Sequence, residues 1–318
     1  MNISVVIPCY NASKFIGRSV RSVLSQIGIP TPQVILVNDA STDDTGEVIR
    51  RLANDNPSVE AYDNLKNVGP GGTRNYAFSK VKGDWLAILD ADDAYEPARL
   101  KRLVGMAEKQ DLDVIADLPL MYDLMAGELS SEQLPTSPDE VSLLHFSHFL
   151  GHDKKTGLDL GLLQPVFRRR LLNEGMLVYP HDVRHGEDCA LYVSLVRSGC
   201  KFGLLREAYY IFSTRIGSVS GAFSPGSVTN VDYLSIARQA KEMRDEFSAS
   251  GDLDSAVDKL LTTREGNALH ANRKYGWSVL RMMEFGRLFN WLRQDPMNSL
   301  VLLKIVLAKL AGHRGTPD

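Results

Sequence analysis

The sequence predicts an α/β fold with a mostly parallel central sheet flanked by helices, followed by a helical C-terminal region. Two patterns carry that reading. Through the first half, short β-branched runs alternate with stretches of helical period, as in a sheet wound by crossover helices. Beyond Val228 the strand signal stops and helical period continues alone.

Five runs read as strands, each short, apolar and bounded by polar or turn residues: Ile3–Cys9, Val34–Asn38, Val59–Tyr62, Trp85–Asp90 and Val114–Ala116. Between the first two, Ser13–Gln26 repeats apolar residues at Phe15, Ile16, Val20, Val23 and Leu24, the spacing of one buried helix face. Asp43–Ala53 opens with acids that suit the positive end of a helix. Pro97 suits the first turn of a helix over Ala98–Lys109, where its missing N–H goes unnoticed. Asp123–Ser142, rich in Ser, Pro and acids, reads as an excursion or flexible loop. Order returns at Leu162–Phe167, in a helix over Glu187–Arg197 and in the apolar segment Phe202–Phe212. Four helices then follow, Leu234–Phe247, Asp252–His270, Trp277–Leu292 and Asn298–Ala311, separated by Gly, Asn and Pro.

At 318 residues, with 44% apolar and 24% charged, the chain can bury a full core without staples. Its 36 basic residues are nearly offset by 39 acidic ones, so nothing global favours nucleic acid as a partner. Cys9, Cys189 and Cys200 lack metal or redox spacing and read as reduced thiols of a cytoplasmic protein. No basic start with an apolar run suggests a secretion signal, and no apolar run approaches the ~20 residues of a membrane span.

Three strand ends are polar, and ligands of parallel α/β sheets bind at that edge. They are Pro8-Cys9-Tyr10-Asn11-Ala12, Asn38-Asp39-Ala40-Ser41-Thr42-Asp43 and Asp90-Ala91-Asp92-Asp93. Singly, Asn11, Ser41 and Asp43 are equally well helix caps or turn formers. The three carboxylates within Asp90–Asp93 repel one another unless a cation or donors neutralise them, and hard oxygens of this kind suit Mg²⁺ or Mn²⁺ carrying a diphosphate. Asn67–Asn75 is a glycine-rich run opening a helix, a place where backbone N–H groups and Arg74 can meet phosphate. It fits neither a P-loop nor a dinucleotide fingerprint. Glu187 and Asp188 stand at a helix start, where an ionised carboxylate is both a cap and a candidate general base. Arg215 follows an apolar strand and is either a cation for a leaving diphosphate or a surface ion-pair partner.

Taken together and in order, VVIPCYNA, VNDASTDDT, NVGPGGTRNYA, LDADD and HGED resemble the family 2 inverting glycosyltransferases, and the likeness covers roughly residues 1 to 220. The resemblance implies a GT-A domain over about 1–225. Its nucleotide-binding half would span about 1–120 and its acceptor half about 121–225, with a helical region over 226–318. It implies a nucleotide-sugar site formed by Pro8, Tyr10, Asn11, Asp39, Arg74, Asp90, Asp92 and Arg215, with Asp39 at the uracil ring. Asp92 becomes the ligand of a divalent cation, Mg²⁺ or Mn²⁺, Asp188 the catalytic base, and Glu187 its support or an acceptor contact. Many relatives carry a histidine where this chain has Arg215; a guanidinium cannot ligate metal, so Arg215 is assigned to the diphosphate.

The block from Gly161-Leu162-Leu163-Gln164-Pro165 to Gly186-Glu187-Asp188 resembles the subgroup that extends bacterial exopolysaccharides such as succinoglycan, which suggests UDP-glucose as donor and a lipid-linked saccharide as acceptor. The last helix is strongly apolar yet too short to span a bilayer. It reads as a peripheral contact with the inner face of the cytoplasmic membrane, or as a buried or homodimer helix. Two rival functions remain, a non-catalytic carbohydrate- or nucleotide-sugar-binding protein and a sugar-nucleotide pyrophosphorylase. The second would place its Gly-Gly-Thr-Arg loop after the first strand, and here it follows the third.

Overall fold

A computed structural model of the chain describes residues 2–124, 126–130, 133–180, 185–214, 231–281, 291–293 and 297–310. It divides into two compact units, Met1–Thr214 and Arg215–Asp318.

The first unit is built on one sheet. Its strands are β1 (Ile3–Cys9), β2 (Gln33–Asn38), β3 (Val59–Asp63), β4 (Trp85–Ile88), β5 (Ala94–Tyr95), β6 (Val114–Asp123), β7 (Glu128–Leu129), β8 (Val141–Leu143), β9 (Val166–Arg168) and β10 (Phe202–Thr214). The spatial order is β3-β2-β1-β4-β9-β6-β10-β5, with β7 on β6 and β8 on β10. β3, β2, β1 and β4 run parallel, as do β6 and β10, while β9 lies antiparallel between β4 and β6 and joins the two parallel blocks.

Helices α1 (Ile16–Leu24), α2 (Thr45–Asp55), α3 (Gly69–Phe78) and α4 (Arg99–Lys109) make the crossovers, joined later by the short α5 (Arg170–Asn173) and by α6 (Glu187–Arg197). Ile16, Val20 and Val23 of α1 and Leu100, Leu103 and Val104 of α4 share a core with Val5, Ile7 and Leu36 of the sheet, all without exposed surface. That is the burial the 3.6-residue period foretells.

Several boundaries differ from the sequence reading. α1 starts at Ile16, because a turn comes first in which the Ala12 carbonyl accepts from the N–H groups of both Phe15 and Ile16. β4 ends at Ile88, its last partner being Val6, so the acids that follow sit in a turn closed by Asp93 N–H to the Asp90 carbonyl at 3.0 Å. β6 runs on to Asp123 because β10 pairs with it along that length, and parts of the Asp123–Ser142 stretch are the small strands β7 and β8.

The second unit contains α7 (Tyr233–Ser250), α8 (Ser255–Arg281) and α9 (Met297–Leu310). Asp232 caps α7 by accepting from Ser235 N–H at 2.9 Å, and Gly251 ends it at φ 81°. Asp254 accepts from the N–H groups of Ala256 and Val257 at the start of α8. α8 runs unbroken through the break expected after His270. Asn272 does not stop the helix, since its amide is buried, donating to Asn298 and accepting from the Trp291 indole, both at 2.9 Å.

Candidate active site

The site is assembled at the carboxyl ends of β1, β2 and β4. Asn11 and Ala40 both adopt left-handed backbone, φ 50° and 53°, which costs a residue with a Cβ about 1–2 kcal/mol unless local bonds repay it. The two turns are zipped together: Asn11 N–H donates to Ser41 Oγ at 3.0 Å, and Asn11 Oδ1 accepts from Thr42 N–H at 2.9 Å. Behind them Asp43 accepts from the Ser13 hydroxyl at 2.7 Å. Pro8 is half-buried, and Tyr10 presents its ring to solvent at 52% exposure.

Asp39, read as a uracil contact, is buried and has a structural task. Its Oδ1 accepts from Val68 N–H and its Oδ2 from Gly69 N–H, both at 2.9 Å, with Asn64 Nδ2 a further donor to Oδ1. A residue on β2's end thus caps α3 from 30 positions away. Those two N–H groups are therefore committed to protein, so the glycine-rich run does not offer them to phosphate. Its second glycine serves packing: a Cβ on Gly71 would lie 3.2 Å from the Tyr179 Cβ.

The acids of the LDADD run divide their labour. Asp93 is buried, accepts from the Tyr210 hydroxyl and Ser213 N–H at 2.7 Å each, and ties the turn to β10. Burial, then the charges of Asp92 and Asp90, hold its carboxyl well above the usual range. Asp90 accepts from Arg74 Nη2 at 3.0 Å and from Gln164 Nε2 at 2.9 Å. Asp92 is half-buried, and its carbonyl accepts from Arg18 at 2.8 Å. One polar face of α1 lashes the turn down: Ser19 donates to the carbonyls of Ala91 and Asp93, and Ser22 accepts from Tyr95 N–H.

Gly186, at φ 84°, turns the chain into α6 so that Glu187 and Asp188 enter its first turn. Arg74, 3% exposed, joins this turn to the LDADD run: Nη1 lies 3.2 Å from Asp188 Oδ1 and 3.4 Å from Glu187 Oε1, while Nη2 holds Asp90. The two acid clusters therefore border one site. Asp188 Oδ1 also accepts from the Tyr179 hydroxyl at 2.9 Å. Among the described residues nothing bonds Asp188 Oδ2, and the side chain keeps 17% of its surface open.

These contacts separate the two acids of the pair. Burial and then the Asp188 charge push Glu187 up to about 8 against the pull of Arg74, so Glu187 holds a proton near neutrality. Asp188 is also raised, by burial first and by Asp90, with Arg74 and Tyr179 opposing. We assign the charge to Asp188, which has the closer guanidinium and a hydroxyl donor.

For a divalent cation the donor chemistry fits. The LDADD run supplies hard carboxylate oxygens of the kind such an ion takes with water and diphosphate oxygens, Asp93 being tied to β10 and Asp90 to Arg74 and Gln164. Among the described residues no group of three His, Cys, Asp or Glu forms a self-sufficient metal cage. Arg215 lies outside the described residues.

Three residues at the site escaped the sequence reading. Tyr192 stands four positions after Asp188 on the same helix face, a spacing that does bring side chains together, and its hydroxyl is 3.5 Å from Oδ1. Gln164, whose amide holds Asp90, comes just before β9. Tyr179 sits between α5 and α6, where no periodicity marks it.

Comparison with known proteins decides the family. The glycosyl transferase family 2 pattern matches residues 4–168, more than half of the chain. The chain belongs to this family. Among its relatives, succinoglycan biosynthesis proteins ExoO and ExoU of Rhizobium meliloti are 29% and 27% identical over 69% and 70% of this chain. The match spans less than two thirds of their own lengths, 62% and 64%. An uncharacterized glycosyltransferase of Nostoc is 35% identical over 72% of this chain and 69% of its own. Of solved structures, Staphylococcus aureus TarS 1-349 with UDP-GlcNAc superposes at TM-score 0.61 and 21% identity, covering 92% of this chain and 80% of that 1-349 chain. A Pyrobaculum calidifontis mannosyltransferase with GDP-Man and Mn²⁺ gives 0.53 and 14%, covering 95% and 85%. These likenesses show the fold, which is GT-A.

Proposed function

We propose that the chain transfers a sugar from a nucleotide diphosphate donor to a saccharide hydroxyl in one displacement, with inversion at the anomeric carbon. The observation that carries this reading is the asymmetry of Asp188: Oδ1 is held by Arg74 and Tyr179, while Oδ2 is left to accept a proton. Asp188 Oδ2 takes the acceptor hydroxyl's proton as that oxygen bonds to C1 from the face opposite the nucleotide. The C1–O bond to the diphosphate breaks, and its electron pair leaves with the nucleotide. No covalent sugar–enzyme intermediate is needed, unlike retaining hydrolysis with two close carboxylates. Asp92 would hold a Mg²⁺ or Mn²⁺, which would supply positive charge to the diphosphate when bound. Tyr10 and the zipped turns of Asn11 and Ser41 form the nucleotide side, and Arg215 serves the leaving group.

We further propose UDP-glucose as donor and a lipid-linked exopolysaccharide intermediate as acceptor; relatives named for succinoglycan biosynthesis support an exopolysaccharide role. Among the described residues no helix is long and apolar enough to cross a membrane. α9 exposes Met297, Leu300 and Leu303, three residues apart and each more than half open, while Val301 and Leu302 pack on Tyr275 and Trp291. We assign that row to a peripheral membrane contact or a homodimer contact; liposome flotation and sedimentation separate the two.

The test is a screen of nucleotide sugars for metal-dependent release of the nucleotide diphosphate. UDP-glucose should give the largest signal, and Asp188→Asn should lower turnover about 10²- to 10⁴-fold while UDP still binds. Release from no donor, with no affinity for UDP, would return the chain to a non-catalytic binding role.

A further inference from the structure

We propose that Tyr179 is a positioning residue for the base: its phenol proton fixes one oxygen of Asp188 and turns the other towards the acceptor. The inference rests on the reading of Asp188 as base. Three groups approach Asp188 Oδ1, namely Arg74 Nη1 at 3.2 Å and the hydroxyls of Tyr179 at 2.9 Å and Tyr192 at 3.5 Å. A tyrosine hydroxyl has one proton to give. Tyr192 spends its proton on the Leu163 carbonyl at 2.7 Å, which leaves Tyr179 as the hydroxyl donor to Asp188.

The structure holds Tyr179 rigidly for this task. Its ring has no exposed surface and lies under the Arg74 guanidinium, 5.1 Å from centroid to Cζ, with Phe78 beside it. Its backbone is latched on both sides by one amide: Tyr179 N–H donates to Asn75 Oδ1 at 2.8 Å, and Asn75 Nδ2 donates to the Tyr179 carbonyl at 2.9 Å. The missing side chain of Gly71 lets α3 approach this closely. Burial and the Asp188 charge keep the phenol protonated, so it remains a donor throughout the working range. It touches no reacting atom in this role; it acts through Asp188.

Among the described residues, the charged or titratable groups that face Asp188 bear on its ionisation. Arg74 from α3 favours the carboxylate, as does the hydroxyl of Tyr179; Tyr192 from α6 faces it with its proton given to Leu163, Asp90 at the end of β4 opposes it, and Glu187 is its partner in the pair. Deleting the Tyr179 hydroxyl removes a contribution that lowers the Asp188 pKa. The base then ionises at higher pH.

The experiment is the pH profile of kcat/KM for the full chain with the best donor found in the screen. Tyr179→Phe keeps the ring over Arg74 and should move the acid limb up by about one pH unit, with activity recovering above it and UDP affinity unchanged. An isosteric second variant, 3,5-difluorotyrosine at position 179, donates more strongly and should move the limb down. An equal loss at every pH in Tyr179→Phe, with the limb unmoved in both variants, would reduce Tyr179 to packing and overturn the inference. Undiminished turnover in Asp188→Asn would instead remove the base reading itself, whatever Tyr179 does.

Discussion

Of the arginines of the first unit that are withdrawn from solvent, Arg99 and Arg74 are built on opposite plans. Arg99 has no exposed surface; it grips Asp117 through Nε and Nη2 at 3.1 and 2.7 Å, donates to the Gln164 carbonyl, and lies between the rings of Tyr95 and Tyr210. One cation meets one carboxylate, and both are sealed. Arg74 faces three carboxylates, Asp90, Glu187 and Asp188, and two of these keep 30% and 17% of their side chains open. A balanced, closed pair holds elements together. An excess of negative charge around one cation, at an opening, is costly in a fold that has no further use for it, and it marks the place where a proton or a cationic partner is received.

The largest effect expected from this contrast is on stability at Arg99. Arg99→Met retains volume but strands Asp117 in the core, a change worth about 3–5 kcal/mol, or roughly 10 °C in a unit of this size. Thermal unfolding measures it. A shift under about 2 °C would mean that water reaches Asp117 and that the pair is not sealed.

Next comes Arg74→Lys, where the contrast predicts the reverse balance of effects. A lysine keeps the charge but cannot span Asp90 on one side and Asp188 on the other, so both acids drift from their places. Transfer should fall about 10²-fold, as expected when reacting groups lose alignment, while the melting temperature moves less than in Arg99→Met. Unfolding and initial rates on the same preparations give both numbers. A variant that melts early yet transfers normally would make Arg74 a second Arg99.

The contrast also explains what the sequence could and could not reveal. Strand ends, helix faces and the gathering of polar residues at one sheet edge follow from local period, so the polar turns after β1, β2 and β4 are legible in the sequence. So is Glu187-Asp188 at a helix start. Partnership across the fold is not legible. Nothing around Asp39 in the sequence says that Val68 and Gly69, far along the chain, need a cap. The LDADD residues by themselves do not say which is tied where, and β10 and α3 arriving from elsewhere make Asp93 structural and Asp90 a partner of Arg74. Nothing local in the sequence marks Arg99 as buried, since Asp117 is the group that draws it inside. Tyr179 gave no signal, because its role is set by Asn75, Gly71 and Arg74 on a different element.

The smallest expected effect is a dependence of stability on pH that originates at Glu187. Its carboxyl, 6% exposed, is pushed up to about 8 by burial and by Asp188, whereas in the unfolded chain it titrates near 4.5. Below 4.5 both states are protonated and the site imposes no penalty. Between 4.5 and about 8 the folded protein keeps a proton that the unfolded chain releases, so this contribution to stability is lost progressively as pH rises through that window. Glu187→Gln mimics the protonated acid at every pH and should abolish that slope. The variant and the parent should melt together near pH 4.5. At pH 8.5 the variant should be ahead by about 1 kcal/mol or more, about 2–4 °C for each kcal/mol. If the parent instead loses stability on the acid side of this window, relative to the glutamine variant, then Glu187 is the ionised member of the pair. In that case Asp188 carries the proton, and the two acids exchange the roles assigned to them here.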